Sequence, residues 1–202
     1  MNTDTFYKLF IVVFFLMYLL LAFAWPTVRA YKMTGINPVT FGNSDSAHEF
    51  VGRWFKILIG FTLLSVTGYC FPDDVYPYMA PLDYLHLPAL QGIGTILAIG
   101  SLIWISVAQF QMGASWRIGL DHKNKTPLIR HGLFSVSRNP VFLGMLVSLL
   151  GFFLLLPNAL TFLVLITGYL LIQIQIRLEE EFLLTQHGKA YKMYSQKVRR
   201  LI

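Results

Sequence analysis

Of the 202 residues, 55% are hydrophobic and 13% are charged, against about 25% charged in a soluble globular domain. Such a composition describes an integral membrane protein, and the apolar runs leave no length for a separate soluble domain. The net charge of +6 comes from basic residues gathered in two loops and the tail, which reads as flanks near anionic headgroups and not as a nucleic-acid surface.

Leu9 to Trp25 is the first apolar run. Val28-Arg29-Ala30 vaguely resembles a signal-cleavage site. However, Lys8 stands against Asp4 ahead of the run, and the run is long for a signal sequence, so a retained span is expected. The loop from Pro26 to Arg53 carries Arg29, Lys32, Arg53, Asp45 and Glu49. Trp54 to Phe71 is the second span, with Lys56 near its start, where its stem can snorkel to the interface. The next loop, Pro72 to His86, has Asp73, Asp74 and Asp83 but no Lys or Arg. Leu87 to Gln111 is the third span, and its Gly92, Gly94 and Gly100 read as helix-packing positions.

The loop from Met112 to Asn139 holds Arg117, Lys123, Lys125, Arg130 and Arg138 against Asp121. Val141 to Leu156 follows as a fourth span reaching about 24 Å, short of a ~30 Å hydrocarbon core. Pro140 preorganises its first turn. Pro157-Asn158 forms a tight reversal, and Ala159 to Ile176 returns as the fifth span. That helix is expected to run on to about Gln186, where His187-Gly188 ends it. Cys70 is the only cysteine, so no intramolecular disulfide can form. The fold class is therefore all-α, with about five transmembrane helices and a helical tail. The connections after spans one and three and the tail are basic, while the other two are acidic or uncharged. Positive-inside then predicts an N-terminus outside and a C-terminus in the cytoplasm. The chain reads as one membrane domain over 1–202. The first three spans fill 1–111, and the motif loop, hairpin and tail fill 112–202.

Ionisable groups beside or within a bilayer are costly and therefore functional candidates. Lys and Arg at span ends serve topology, but the acids of Glu179-Glu180-Glu181 do not. Gln173, Arg177, Glu180, Glu181 and Leu184 recur at spacings of three and four and share one helix face. The alternative is an Arg177–Glu181 surface pair, worth less than ~0.5 kcal/mol. No Gly-x-Gly-x-x-Gly follows a strand, and no phosphate loop occurs. His48, His86, His122, His131 and His187 lack metal-site spacing, so no metal is expected. The serines show no nucleophile elbow.

Gly132-x-Phe134-x-x-x-Arg138-x-Pro140-x-Phe142-x-Gly144 resembles the G-x-Y-x-x-x-R-H-P-x-Y-x-G signature of the isoprenylcysteine carboxyl methyltransferase family. Phospholipid N-methyltransferases share that signature. Glu180-Glu181 with Leu184 resembles the family's E-E-x-x-L, and His187-Gly188-x-x-Tyr191-x-x-Tyr194-x-x-x-Val198-x-Arg200 resembles its tail. Met112-Gly113-x-x-Trp116 resembles its G-x-x-W. Asn139 stands where the family usually has His, Phe134 and Phe142 replace Tyr, and Met193 stands where Glu is common.

The resemblance implies a multi-span methyltransferase that uses S-adenosylmethionine at the cytoplasmic face. It implies a lipidic, lipidated or small apolar acceptor, and it leaves the oligomeric state open. It implies that the cofactor is held by residues among His131, Gly132, Phe134, Arg138, Asn139, Pro140, Val141, Phe142, Gly144, Glu180 and Glu181. Glu180 and Glu181 would face the cofactor's cations, and Arg138 or the Gly132 backbone its carboxylate. Phe134, Val141 and Phe142 would line an adenine slot. Arg200 and Tyr194 are the candidate catalytic residues, with Arg200 suited to orienting a carboxylate. A phospholipid amine is the alternative acceptor and would need a base, for which Asp121, His122 and His131 are candidates. A non-catalytic transport or assembly protein on the same fold is the other alternative.

Overall fold

The computed structural model describes residues 3–40, 46–70, 75–121 and 123–202. Asp45, Asp73, Asp74 and His122 lie outside the described residues. The elements are α1 (Thr3–Leu19), a π-helical turn (Leu20–Ala24), α2 (Trp25–Thr34), α3 (Ala47–Cys70), α4 (Pro88–Met112), α5 (Pro140–Leu155), α6 (Ala159–His187) and α7 (Lys189–Lys197). Among the described residues, four helices are long and apolar enough to cross a membrane, namely Asp4–Thr34, Ala47–Cys70, Pro88–Ser115 and Ala159–His187. The fifth apolar helix, α5, is shorter at 16 residues. On α4, Ile96, Ile103 and Phe110 are exposed one heptad apart, which marks a lipid-facing stripe.

The first helix is longer than the apolar run, continuing for 31 residues through Pro26. A proline cannot donate to the carbonyl four residues back and usually breaks a helix. Here that carbonyl, on Ala22, accepts from the buried Gln109 Nε2 of α4 at 2.7 Å. The π turn just before Pro26 absorbs the remaining misfit.

α4 and α5 make the most extensive helix pair. Gly94 and Gly151 let their backbones meet, because a Cβ on Gly94 would stand 2.9 Å from the Gly151 carbonyl oxygen. Gly92 and Gly100 face open space and are not packing positions, contrary to expectation. Ser101 and Ser148 share a 2.7 Å hydrogen bond across the same pair. Ile11, Phe14, Ala98, Ile105, Phe152 and Leu155 form the apolar core beside it.

The connections gather at two ends. Pro81 bridges Asn158, Leu82 N–H donates to the Pro157 carbonyl, and Ala159 N–H to that of Ala80. The links following α3 and α5 thus lie together. At the other end Val39 bridges Ile118, and Ser137 bridges Arg199. That end collects the links following α2 and α4 and the tail.

Candidate active site

The motif loop is built on α4. Gly132 has a φ of +60°, and a Cβ there would strike the Gln111 side chain. Gln111 Oε1 accepts instead from Leu133 N–H at 2.9 Å. A 3-10 turn runs from Gly132 to Ser135, and the Phe134 carbonyl accepts from the Tyr194 hydroxyl at 2.6 Å. Trp104 Nε1 donates to the Pro140 carbonyl at 2.9 Å, fixing the point where α5 begins.

Glu180 is the hub of this end. Its Oε1 accepts from Arg138 Nε at 3.0 Å and Nη2 at 2.7 Å, and its Oε2 from Arg200 Nε at 3.0 Å and Nη2 at 2.7 Å. Arg138 Nη1 reaches on to the carbonyls of Ser195 (2.9 Å) and Val198 (2.7 Å), and its backbone N–H donates to that of Arg199. Asn139 Nδ2 donates to the Arg200 carbonyl at 3.0 Å and to Glu180 Oε1 at 3.3 Å. The Glu180 and Arg138 side chains are each 12% exposed and that of Arg200 42%. Two fork donors with backbone acceptors behind them make a rigid, satisfied cluster.

Beside this cluster lies a cavity of about 240 Å³. Its apolar shaft is walled by Phe14 and Phe15 of α1, Leu58 of α3, Met145 and Phe152 of α5, and Val164 and Ile172 of α6. Its polar end holds Trp116, Arg117, Arg138, Asn139, Gln175 and Glu179. From Val164 to Glu179 the shaft follows α6 for about 22 Å. Two buried atoms at the polar end have no hydrogen-bond partner, Trp116 Nε1 and Gln175 Oε1. Eight such atoms occur among the described residues, and these two belong to residues that line the cavity, where a polar ligand can satisfy them. Gln175 Nε2 donates to Glu179 Oε1 at 3.2 Å. Glu179 thus has a neutral partner, whereas Glu180 has two cations.

Of the residues expected at a cofactor site, Phe134, Arg138, Asn139, Pro140, Val141 and Phe142 line this cavity. Gly132 and Gly144 act from behind, Gly144 by packing closely on Ile105 and Trp104. Glu181 is exposed and outside it, and Arg177 donates to the Gln173 carbonyl at 2.6 Å and not to Glu181. Of the expected stripe Gln173, Arg177, Glu180, Glu181 and Leu184, Glu180 turns inward to Arg138 and Arg200, while Arg177, Glu181 and Leu184 are exposed; the polar pair of α6 that lines the cavity is Gln175 and Glu179, one turn apart. Each residue turns a helix by about 100°, so the choice among three consecutive glutamates was open in the sequence. Trp116 was visible there only as part of Gly-x-x-Trp.

His131 lines a second, shallower cavity together with Tyr194. Burial pushes the Tyr194 phenol up to about 12, although Arg138 and Arg130 pull it back. It is therefore a neutral donor that ties α7 to the motif loop. Asp121 is occupied by Arg117, Asn124 and the Lys123 N–H and stands outside the cavity along α6.

The family described as phospholipid methyltransferase matches residues 89–190. The match takes in α4 and stops short of Arg199 and Arg200. No curated protein matches the chain.

Proposed function

The chain belongs to the phospholipid methyltransferase family; from that premise we propose that it methylates a lipidic acceptor with S-adenosylmethionine, at the cytoplasmic face of the membrane. The observation that carries this reading is the polar end of the cavity along α6, where Trp116 Nε1 and Gln175 Oε1 lack partners among the described residues beside the Glu179 carboxylate, whose partner is the neutral Gln175 amide. When bound, S-adenosylmethionine supplies a methyl group on a positively charged sulfonium. Glu179 would face that cation or the ammonium, taking the part the sequence suggested for Glu181. Phe134, Val141 and Phe142 would wall the flat adenine. Glu180 and Arg138 hold the motif loop in place, and Arg200 helps by closing the other side of Glu180. The apolar shaft would take the acceptor's tail and keep water from the transfer, which is chiefly a matter of alignment. The cytoplasmic assignment rests on the basic loops, which share this end of the bundle.

An amine acceptor has one specific observation in its favour. Of the bases suggested by the sequence, Asp121 and His131 lie outside this cavity, whereas Glu179 is a carboxylate within it that could take the ammonium proton. An already ionised oxygen or sulfur acceptor would not need it.

The test is heat denaturation of the detergent-solubilised protein with and without S-adenosylmethionine, followed by lipid extraction after incubation with labelled cofactor. At a hundredfold excess over Kd, the cofactor should stabilise by about 2.7 kcal/mol and label should appear in lipid. Glu179→Gln should remove the stabilisation and leave the cofactor-free melting temperature in place. Neither stabilisation nor label in the native protein would return the chain to the non-catalytic alternative.

A further inference from the structure

We propose that the second cavity, between the motif loop and α7, binds the phosphate of an anionic phospholipid headgroup. This cavity measures about 530 Å³ and is lined by Leu128, Arg130, His131, Met193, Lys197 and Val198, with Ser135 and the Tyr194 ring. Among the described residues, the lining contains no acid. The sequence has none between His122 and Leu178, nor from Phe182 to the end. Of the three glutamates between, Glu180 is bound on both oxygens. Arg130 and Lys197 are exposed, so they present positive charge that nothing in the lining neutralises.

The apolar part of the lining selects a lipid over a free anion. Met193 is 60% exposed, and Leu128 and Val198 flank the basic groups. Water penalises that arrangement, whereas the glycerol and upper acyl carbons of a phospholipid satisfy it. The height is also right. Ser135 lies five residues before Pro140, where α5 enters its apolar run, so the cavity stands at the headgroup level of the leaflet.

Occupancy would reach the active site through bonds already present. One wall is the motif loop and the other is α7, joined by the Tyr194 hydroxyl on Phe134 and by Arg138 on Ser195. A headgroup spanning Arg130 and Lys197 adds a third tie between the same two elements. Anionic lipid thus stabilises this end of the protein, independently of which acceptor the cavity along α6 takes.

The full-length protein in nanodiscs of phosphatidylcholine is compared with discs containing phosphatidylglycerol, and with phosphatidylcholine discs in inorganic phosphate. Phosphatidylglycerol should raise the melting temperature by a few degrees, and phosphate should not. The double variant Arg130→Gln, Lys197→Gln should lose most of the rise. Arg130→Lys with Lys197→Arg should keep it, as should Lys189→Gln with Lys192→Gln on the exposed side of α7. Because each variant is compared with itself in phosphatidylcholine, a general loss of stability cancels. Equal losses in both Gln pairs would overturn the proposal in favour of diffuse attraction. A rise reproduced by phosphate alone would overturn the lipid as ligand, and no rise with phosphatidylglycerol would overturn the site.

Discussion

Both ends of the bundle are tied backbone to backbone, but only one adds a junction of charged side chains. At one end, Ala80, Leu82, Pro157 and Ala159 are joined backbone to backbone. Asn158 there closes a capping box, accepting from Thr161 N–H at 2.8 Å while Thr161 Oγ1 accepts from the Asn158 N–H. At the other end, the motif loop and tail share a backbone bond from Arg138 N–H to the Arg199 carbonyl, and charged side chains meeting at Glu180 are added to it. A backbone junction needs only chain shape, so most surface substitutions leave it alone. A junction of guanidinium forks depends on single residues, and it stands where ligand-facing groups must be positioned. Architecture and chemistry are thus kept at opposite ends.

The change expected to cost most is Arg138→Ala. It leaves a nearly buried Glu180 with one guanidinium and strips the carbonyls of Ser195 and Val198. Removing one partner of a buried pair costs about 3–5 kcal/mol, read by denaturation in a single detergent. A loss under about 1 kcal/mol would reduce the cluster to a surface pair.

Arg200→Lys probes the same end more gently, because this side chain is 42% exposed. Lys cannot reproduce the two-nitrogen contact on Glu180 Oε2. Methyl transfer should fall about tenfold, or ~1.4 kcal/mol, with little loss of stability, while Lys197→Arg and Arg199→Lys leave it near normal. Equal small losses in all three would make Arg200 an ordinary basic flank.

Asn158→Ala tests the other end. Losing the cap should lower stability by about 1 kcal/mol and leave transfer per folded molecule unchanged. A matching fall in transfer would show that the ends are coupled.

The smallest effect expected is acid sensitivity from Asp121. Burial pushes this carboxyl up, but the side chain and backbone of Asn124, Arg117 and the Lys123 N–H outweigh it, and the net direction is down. A carboxyl lowered on folding adds stability above its unfolded pKa of about 4 and loses it as pH falls toward the folded value. The melting temperature should therefore drop below about pH 4, and Asp121→Asn should flatten that drop. An unchanged slope would assign the acid sensitivity to other carboxylates.

Membrane insertion, the positions of the helices and the motif loop were determined by the sequence alone. Each follows from local chemistry, since an apolar run must satisfy its own backbone in lipid. The stop at His187 and the short α5 were legible for the same reason. Which face of each helix turns inward was decided only by the tertiary structure. Lipid and protein interior are about equally apolar, so a span carries little amphipathic pattern from which to read its rotation. Hence Glu179 and not Glu181 lines the cavity, and Gly94 but not Gly92 or Gly100 meets a neighbouring helix. The long first helix belongs with these, because Pro26 reads locally as a boundary. Gln109, whose amide nitrogen bonds the Ala22 carbonyl 87 positions away, and the π turn before Pro26 together allow the helix to continue.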